Sequence, residues 1–536
     1  MRIRSRKIHL LLTFTACLTA AISVAAHADD KPAENKPQNF QGKEITADHS
    51  LFKELQRDFA NGDEVTRACS GCHNRASDQV KSTLHWNWES HYDHNLGKGG
   101  HSLNNYCISS NKLGDNACVA CHVGWDGKKG EVNCLVCHSQ KTTNWKENFT
   151  DVAEFVAEGD EESLEIAEEI RQELRASYQA IGTPTAKNCG SCHFYSGGGD
   201  GVKRGDMDAS LVNPSRELDV HLSKDGAGFT CVDCHETTNH NIAGREYAQS
   251  AKEMRENEPH RKTKSPLNCE TCHSERPHKE NSLLDSHTKK IACQTCHIPS
   301  IARGHPTKVW WDWSKAGKTK SGKPYYTTDD LGMKNYMSIK GEFKWEKDVR
   351  PVYEWYNGAM KSITLDDKID PKTVVEVQTP LAYDPKKGSR RRQGYKITPF
   401  KQHLGKQPYD TENSSLLAPM LSGDKGYWTT LDWEESLAEG MKVMGLPFSG
   451  KYDFVKSRFL YSVNHTIAPK EQALSCDACH NRTDSRMAGV AGVYVPGRGD
   501  FSVFTRWVWV LLGLMVIGAV CHALFRIIVK IRSRED

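Results

Sequence analysis

The sequence has almost no excess of charge of either sign and only a modest share of apolar residues. Its 71 Lys and Arg residues nearly balance its 68 Asp and Glu residues, and the formal net charge is +3 over 536 residues. This balance gives no electrostatic basis for binding nucleic acid. Hydrophobic residues make up 38% of the chain. We therefore expect a polar, loop-rich body in which something other than a conventional apolar core supplies part of the packing.

Cysteines outside one short motif are also rare. Sixteen of the 19 cysteines and eight of the 24 histidines fall in eight copies of CxxCH. A disulfide framework is excluded because the cysteines form regular short pairs in a long chain. Zinc also binds CxxC pairs, but it does not require a histidine directly after every second cysteine. The pattern therefore indicates eight covalently bound haems c, each with two thioether bonds and one proximal histidine.

We number the haems by the order of their motifs. The thioether cysteines are Cys69 and Cys72, Cys118 and Cys121, Cys134 and Cys137, Cys189 and Cys192, Cys231 and Cys234, Cys269 and Cys272, Cys293 and Cys296, and Cys476 and Cys479. The proximal histidines, in the same order, are His73, His122, His138, His193, His235, His273, His297 and His480.

Both ends of the chain carry targeting signals. Residues 1–28 combine a basic tip, an apolar run and the sequence Ala26, His27, Ala28, which is typical of a cleaved export signal. Its removal takes away four positive side chains and changes the net charge to about −1. Residues 507–525 contain no charged side chain, and this run is close to the length that crosses a bilayer.

The C-terminal run predicts a membrane anchor over residues 506–529. Trp507 and Trp509 lie at its outer end and basic residues follow it, so residues 530–536 are expected to be a cytoplasmic tail. A glycine-rich linker over residues 488–505 would connect the anchor to the body. These features predict an inner-membrane protein whose body faces the periplasm.

The expected body is a multihaem cytochrome c that is mainly α-helical and irregular, with little β structure. Residues 29–150 would hold haems 1–3, residues 151–300 an amphipathic helical insert and haems 4–7, and residues 301–487 a haem-poor segment and haem 8. The insert is predicted from apolar residues at helical spacing among many glutamates around residues 151–180.

Several segments of the body resemble the octahaem tetrathionate reductase family. They are LHWNW (84–88), LGKGG (96–100), NNYCIS (104–109), FYSGGGDGVKRGDMD (194–208), ACQTCHIPSIARG (292–304), VWWDWSKAG (309–317), HLGKQPYD (403–410) and NHTIAPK (464–470). The likeness covers most of the body and the number and order of the haems. It does not extend to the acidic insert, to the basic run at residues 390–392 or to the C-terminal anchor.

The resemblance implies seven haems with two histidine ligands and one haem with a lysine opposite its proximal histidine. The expected distal histidines are His85, His221, His240, His278, His287, His403 and His465. The alternatives are His91, His94, His101, His260 and His305.

The resemblance also implies that haem 2 is the reactive one. Lys203 is the first choice for its distal amine, because a glycine-rich loop can approach a haem edge closely; Lys187 and Lys146 are alternatives. Cys107 belongs to no motif and is either a small buried hydrophobe or a site residue. Asn104 and Asp200 are expected beside Cys107 and Lys203.

The function expected from this likeness is reduction of a small oxidised sulfur or nitrogen species, such as tetrathionate, nitrite or hydroxylamine. Electrons would come from a cytochrome or a quinol dehydrogenase. The alternative is a membrane-anchored electron conduit with no substrate of its own. A hydroxylamine-type oxidase is disfavoured because no motif matches its tyrosine cross-link. The oligomeric state stays open, a homo-oligomer included.

Overall fold

The computed structural model describes residues 47–87, 121–128, 130–244, 269–495 and 503–534. These residues all belong to one unit, which spans Lys43–Asp536. Several residues considered above lie outside the described part of the chain: the export signal, Asn104, Cys107, Cys118, His91, His94, His101 and His260.

Most of the cytochrome motifs form a single tight turn. In six of them the backbone N–H of the histidine donates to the carbonyl of the first cysteine, at 2.8–3.1 Å. Residues three and four apart lie on one side of such a turn, so both cysteines and the histidine can reach the same haem. The helices up to the sheet are α1 (Gly62–Cys72), α2 (Ala76–Lys81), α3 (Leu84–Asn87), α4 (Leu135–His138), α5 (Trp145–Glu158), α6 (Glu161–Gln179), α7 (Ala186–His193), α8 (Cys231–Cys234), α9 (Glu270–His273), α10 (Ser282–His287) and α11 (Gln294–His297).

The acidic insert is a helix pair, α5 and α6. Gly159, with φ 76°, ends α5 in the left-handed conformation that favours glycine, and Asp160 caps α6 by accepting from the Ser163 N–H. Leu174 and Tyr178 of α6 are buried in a cluster with residues that precede α1. The apolar face is thus buried in part, although Val156 and Leu164 are exposed, and most glutamates remain exposed.

The segment between haems 7 and 8 contains a large β-sheet. Ten strands form it, in the order β11-β12-β15-β13-β4-β9-β8-β7, with β10 and β14 also paired to β13. The strands of this sheet are β4 (Thr307–Asp312), β7 (Tyr326–Thr328), β8 (Lys334–Met337), β9 (Gly341–Glu346), β10 (Val352–Tyr356), β11 (Met360–Ser362), β12 (Val375–Pro380), β13 (Lys396–Asp410), β14 (Ser415–Leu416) and β15 (Tyr452–Ser462). Short strands elsewhere are β1 (Trp125–Lys128), β2 (Thr237–Thr238), β3 (Asn241–Ile242), β5 (Thr319–Lys320) and β6 (Lys323–Pro324).

The expectation of little β structure is therefore not met. This segment carries no haem motif, so it has to bury its own apolar side chains. Trp311 of β4 stacks on Trp313 at 4.7 Å between ring centroids and meets Phe343 of β9 edge-on. Helix α12 (Tyr427–Thr430) and helix α13 (Trp433–Met444) cover the same core. The sheet is held by a conventional apolar core, whereas the haem-binding part consists of short helices and loops.

The last helix, α14 (Val503–Arg532), is exposed along the part whose side chains are described. Its stretch Arg506–Arg532 is 27 residues long with a mean hydropathy of 2.4, which is sufficient in length and composition to cross a membrane. This helix agrees with the predicted C-terminal anchor.

Candidate functional site

Seven of the eight proximal histidines each face a second histidine. The ring centroids of every pair are 6.0–6.4 Å apart. In order of motif the pairs are His73 with His49, His138 with His240, His193 with His85, His235 with His465, His273 with His221, His297 with His278, and His480 with His287.

These separations fit an iron between two imidazoles. Metal–nitrogen bonds of about 2 Å, with roughly 1.2 Å from each nitrogen to its ring centre, place two axial rings about 6.3 Å apart. Because one member of each pair follows a CxxC motif, the residues present suit seven bis-histidine haems c. The structure brings together six of the seven predicted distal histidines in this way.

His403 is the predicted distal ligand that the structure places elsewhere. It lies on β13 inside the sheet, with Nδ1 3.1 Å from the carbonyl oxygen of Lys308, and it is only 1% exposed. Burial, together with the nearby charge of Lys401, sets the pKa of its imidazole well below the ordinary value. The sequence HLGKQPYD suggested a ligand, but it belongs to the longest strand of the sheet.

His49, which was not among the expected distal ligands, faces the proximal histidine of site 1. It opens a short 3-10 helix, His49–Leu51, capped by Asp48, and its ring stacks against that of His73. Sequence reasoning missed it because no motif surrounds it. Its place twenty residues before Cys69 is the one signal in the sequence that could have pointed to haem 1.

Several of the paired histidines have an acceptor close to Nδ1, which leaves Nε2 for a metal. Most of these acceptors are neutral. The Nδ1 atom of His138 lies 3.1 Å from the carbonyl oxygen of Gly182, and that of His235 lies 2.7 Å from the carbonyl oxygen of Ala243. The Nδ1 atom of His287 lies 2.7 Å from the carbonyl oxygen of Leu283, and that of His240 lies 2.8 Å from Oε1 of Gln79.

Contacts between motif cysteines give the order of the haem sites. Cys69 touches Cys134, which joins site 1 to site 3, and the charge of the Cys192 thiol acts on Cys137, which joins site 3 to site 4. The remaining neighbours are Cys189 with Cys231, Cys234 with Cys272, Cys269 with Cys293, and Cys296 with Cys479. The described contacts thus form a line, 1-3-4-5-6-7-8.

Site 2 branches from this line at site 4. The Cys192 thiol lies 3.9 Å from the carbonyl oxygen of Cys121, the residue directly before His122. The ring of His122 lies 5.0 Å from that of Trp86, and its Nε2 is 2.8 Å from the Trp86 carbonyl oxygen. Helix α3 therefore contributes to both sites, since His85 faces His193 and the next residue contacts His122.

A glycine-rich loop directly after α7 carries Lys203. Gly197, Gly198, Gly201 and Gly205 have φ between 63° and 98°, a region that side chains with a Cβ rarely adopt. The Lys203 amine lies 5.5 Å from the centroid of the Tyr461 ring of β15. The loop therefore rests on the sheet that the sequence did not predict.

The sheet holds this loop through buried polar groups. The Lys401 amine of β13 donates to the Val202 carbonyl and to the Thr307 hydroxyl, and that hydroxyl donates to the Gly201 carbonyl at 2.6 Å. Lys401 is fully buried, and burial lowers its pKa well below the ordinary lysine value. Two strands thus fix the backbone directly before Lys203.

Ionisable side chains surround the same loop. Asp200 Oδ2 lies 3.9 Å from Nε2 of His305, and Asp200 Oδ1 accepts from the Ala209 N–H at 2.8 Å. Asp208 is buried, and its Oδ2 has no hydrogen-bond partner within the described part of the chain. Burial and, less strongly, the charge of Asp200 raise the pKa of Asp208. His305, an alternative distal ligand in the sequence analysis, instead pairs with Asp200.

The other candidate lysines lie on helix surfaces. Lys146 on α5 and Lys187 on α7 are both exposed, whereas Lys203 is partly buried. Cys107 and Asn104 lie outside the described residues, so their roles stay predictions.

Comparison with known proteins agrees with this arrangement. Residues 308–483 match the family model described as "Cytochrome c bacterial", and residues 215–298 match "Cytochrome c7 and related cytochrome c". A curated relative, an uncharacterized protein of Archaeoglobus fulgidus, is 25% identical over 278 residues, which cover 42% of this chain and 89% of that protein.

A solved structure gives the broader match. The crystal structure of octaheme cytochrome c from Shewanella oneidensis is 33% identical, with a TM-score of 0.69 over 85% of this chain and 98% of that one. With eight CxxCH motifs in its sequence and seven histidine pairs at haem-ligand spacing, the chain belongs to the octahaem c-type cytochromes.

Proposed function

We propose that this chain is an oxidoreductase that reduces a small oxidised nitrogen or sulfur species at the site of His122. The observation that carries the proposal is the group of ionisable side chains on and beside the Lys203 loop. This loop follows α7 directly, and Cys192 of α7 touches the backbone of site 2. The loop with Asp200 and Asp208 thus continues from the helix that contacts site 2, and His305 pairs with Asp200.

Such groups suit a reductase better than a conduit. Electron transfer between closed haems requires no acid or base, whereas reduction of hydroxylamine to ammonium and water takes up two electrons and three protons. Burial raises the pKa of Asp208, so this carboxyl holds its proton to a higher pH than an exposed aspartate does. The Asp200–His305 pair connects this acid to the loop surface.

Bound haems would supply one-electron transfer along the line of sites and a metal centre at His122. The role proposed for Lys203 is to place its amine opposite His122 until a substrate displaces it. Asp200 and His305 would orient the substrate and deliver protons.

Tetrathionate would be reduced by a different route, because its reduction takes up two electrons and no proton. The Cys107 thiolate would attack the central S–S bond and release one thiosulfate, and two electrons would then release the second. Asn104 would donate a hydrogen bond to the substrate.

The alternative is a conduit without a substrate. The seven histidine pairs favour it, since a pair of strong ligands leaves no position for substrate on those irons. The two functions differ at site 2 alone.

The membrane end of the chain suggests where electrons enter. Met487, Val490 and Val495 follow site 8 and pack against Tyr353 and Ile397 of the sheet. Eight peptide links separate Val495 from the start of α14, and they span at most about 29 Å. Site 8 also ends the line of described cysteine contacts.

We assign site 8 as the position where a membrane-resident donor, such as a quinol dehydrogenase, delivers electrons. With α14 in the inner membrane and the basic tail in the cytoplasm, the body would face the periplasm.

Steady-state turnover tests the proposed reductase. Purified full-length protein in detergent, reduced by an artificial donor, should consume hydroxylamine, nitrite or tetrathionate. Rapid reduction of all haems without consumption of any of the three would contradict the reductase and support the conduit.

A further inference from the structure

Asp206 lies on the same loop as Lys203 but points to a different site. Its carboxylate is fully buried and comes within hydrogen-bonding distance of three groups of one segment. Oδ2 accepts from the backbone N–H of Asn464 at 2.8 Å and from that of His465 at 3.0 Å, and it lies 3.2 Å from Nδ1 of the His465 ring. His465 is the ring that faces His235 at site 5.

The contact differs in kind from those of the other oriented rings. The acceptors described above for His138, His235, His240 and His287 are neutral carbonyl or amide oxygens. His278 has a carboxylate nearby, but its Nδ1 is 3.5 Å from Asp285. Asp285 also lies 3.6 Å from the Arg276 guanidinium, which shares its charge.

The surroundings of Asp206 keep it ionised. Two backbone N–H groups and the Nδ1 of the His465 ring converge on Oδ2, and donors of this kind favour a carboxylate over a neutral acid. Its second oxygen, Oδ1, is buried and has no hydrogen-bond partner within the described part of the chain. The negative charge is therefore directed mainly at the His465 segment.

A carboxylate at Nδ1 has two effects on a ligating histidine. It fixes the proton on Nδ1, so that Nε2 faces the metal, and it increases the electron density that Nε2 donates. A more basic ligand stabilises the oxidised metal and lowers the reduction potential. Hydrogen bonds with one charged partner are also stronger than neutral ones.

We propose that Asp206 is a positioning residue that holds His465 in the Nδ1–H form and lowers the reduction potential of haem 5. Because site 5 lies between sites 4 and 6 in the line, this potential influences electron flow between the membrane end and the branch to site 2. The inference goes beyond the proposed function, since it depends on haem binding at site 5 and not on any substrate.

The test is a redox titration of the full-length protein followed by electron paramagnetic resonance. Asp206→Asn should move one midpoint potential to a more positive value and change the signal of one low-spin haem. Asp410→Asn is the matched control: Asp410 is buried and accepts from the backbone N–H groups of Glu412, Asn413 and Ser449, none of which belongs to a haem site. Its titration should match the wild type. If the midpoint potentials of Asp206→Asn match those of the wild type, the proposal is overturned.

Two further variants cover a failure of Asp206→Asn to assemble. Asp206→Glu and Asp206→Gln have similar size and differ in charge, and haem content shows whether each holds all eight haems. The proposal predicts a more positive midpoint in the Gln variant than in the Glu variant. If both neutral variants lack haem while Asp206→Glu is complete, the role of Asp206 is structural and the proposal is wrong. Equal titrations of the Glu and Gln variants would also overturn it.

Discussion

His49 and His73 face each other with ring centroids 6.3 Å apart and ring planes 21° apart. His49 begins a short 3-10 helix, whereas His73 ends the first CxxCH turn. With a haem bound, this pair would supply two histidine ligands at site 1, which would suit electron transfer and not substrate binding.

Replacement of His49 tests this pairing. His49→Ala should convert one low-spin haem to a high-spin form, because the distal ligand of haem 1 is lost. His403→Gln is the control: His403 is buried in the sheet beside Lys308 and should leave all low-spin signals in place. Electron paramagnetic resonance of the oxidised proteins measures the spin states of the haems in both variants. Loss of a low-spin signal in His403→Gln and not in His49→Ala would identify His403 as the ligand.

Replacement of Lys401 should reduce substrate turnover more than it reduces the stability of the fold. Lys401→Met leaves the Val202 carbonyl without its lysine donor, which costs about 1–3 kcal/mol. It also removes a fully buried amine whose desolvation is unfavourable, which offsets part of that cost. We expect a small change in melting temperature and at least a several-fold fall in substrate turnover, because the backbone beside Lys203 loses its anchor.

The control for Lys401 is on the same strand. Lys406→Met removes a partly exposed lysine that lies 3.8 Å from Asp312, away from the loop. Turnover in this variant should match the wild type. Equal losses in both variants would mean that the strand, and not the contact with Val202, is responsible.

Asp208 gives a pH-dependent prediction. Burial raises its pKa, so the native state binds the Asp208 proton more tightly than the unfolded chain does. This carboxyl therefore costs stability as the pH rises from the ordinary value of about 4 through its raised pKa, and the cost is complete above that pKa.

Asp208→Asn should remove this cost. The variant should melt at a higher temperature than the wild type at pH 7.5, because it lacks the ionised carboxylate that burial disfavours. The difference should vanish below about pH 4, where both side chains are neutral. Thermal unfolding at the two pH values measures it; a variant less stable at pH 7.5 would contradict the prediction.

The sequence was most informative where a haem is attached covalently to the chain. CxxCH gives both thiols and the proximal histidine in one turn, so these residues could be assigned directly. Distal ligands come from anywhere in the chain: His85 and His465 lie in recognisable segments, whereas His49 does not. The sheet was missed because HLGKQPYD was interpreted as a segment that supplies a distal ligand and not as part of a long strand.

Contacts between distant parts of the chain explain what the sequence analysis missed around Lys203. The glycines of the loop pointed to a close backbone approach, but Lys401, which holds the loop, is almost 200 residues further along the chain. Long-range contacts of this kind leave no periodic signal. Asp206 was part of a quoted motif, yet only the fold shows its contact with His465.

The route of electrons can be tested in inner-membrane vesicles that contain the full-length protein. After rapid mixing with a reduced quinol and freezing, the first low-spin signal to disappear should be that of haem 8, which His287→Ala identifies by its absence. Site 8 is the end of the line from which the chain leads to α14. Loss of the haem 1 signal first would place the donor at the opposite end.

The most direct test of the central claim is near-infrared magnetic circular dichroism of the oxidised full-length protein, with and without hydroxylamine. The account predicts one histidine–lysine haem, which hydroxylamine perturbs and Lys203→Ala abolishes, while Lys187→Ala, a change on the exposed face of α7, leaves it intact. If all eight haems have two histidine ligands and are indifferent to hydroxylamine, the chain is an electron conduit and the proposed reductase site is wrong.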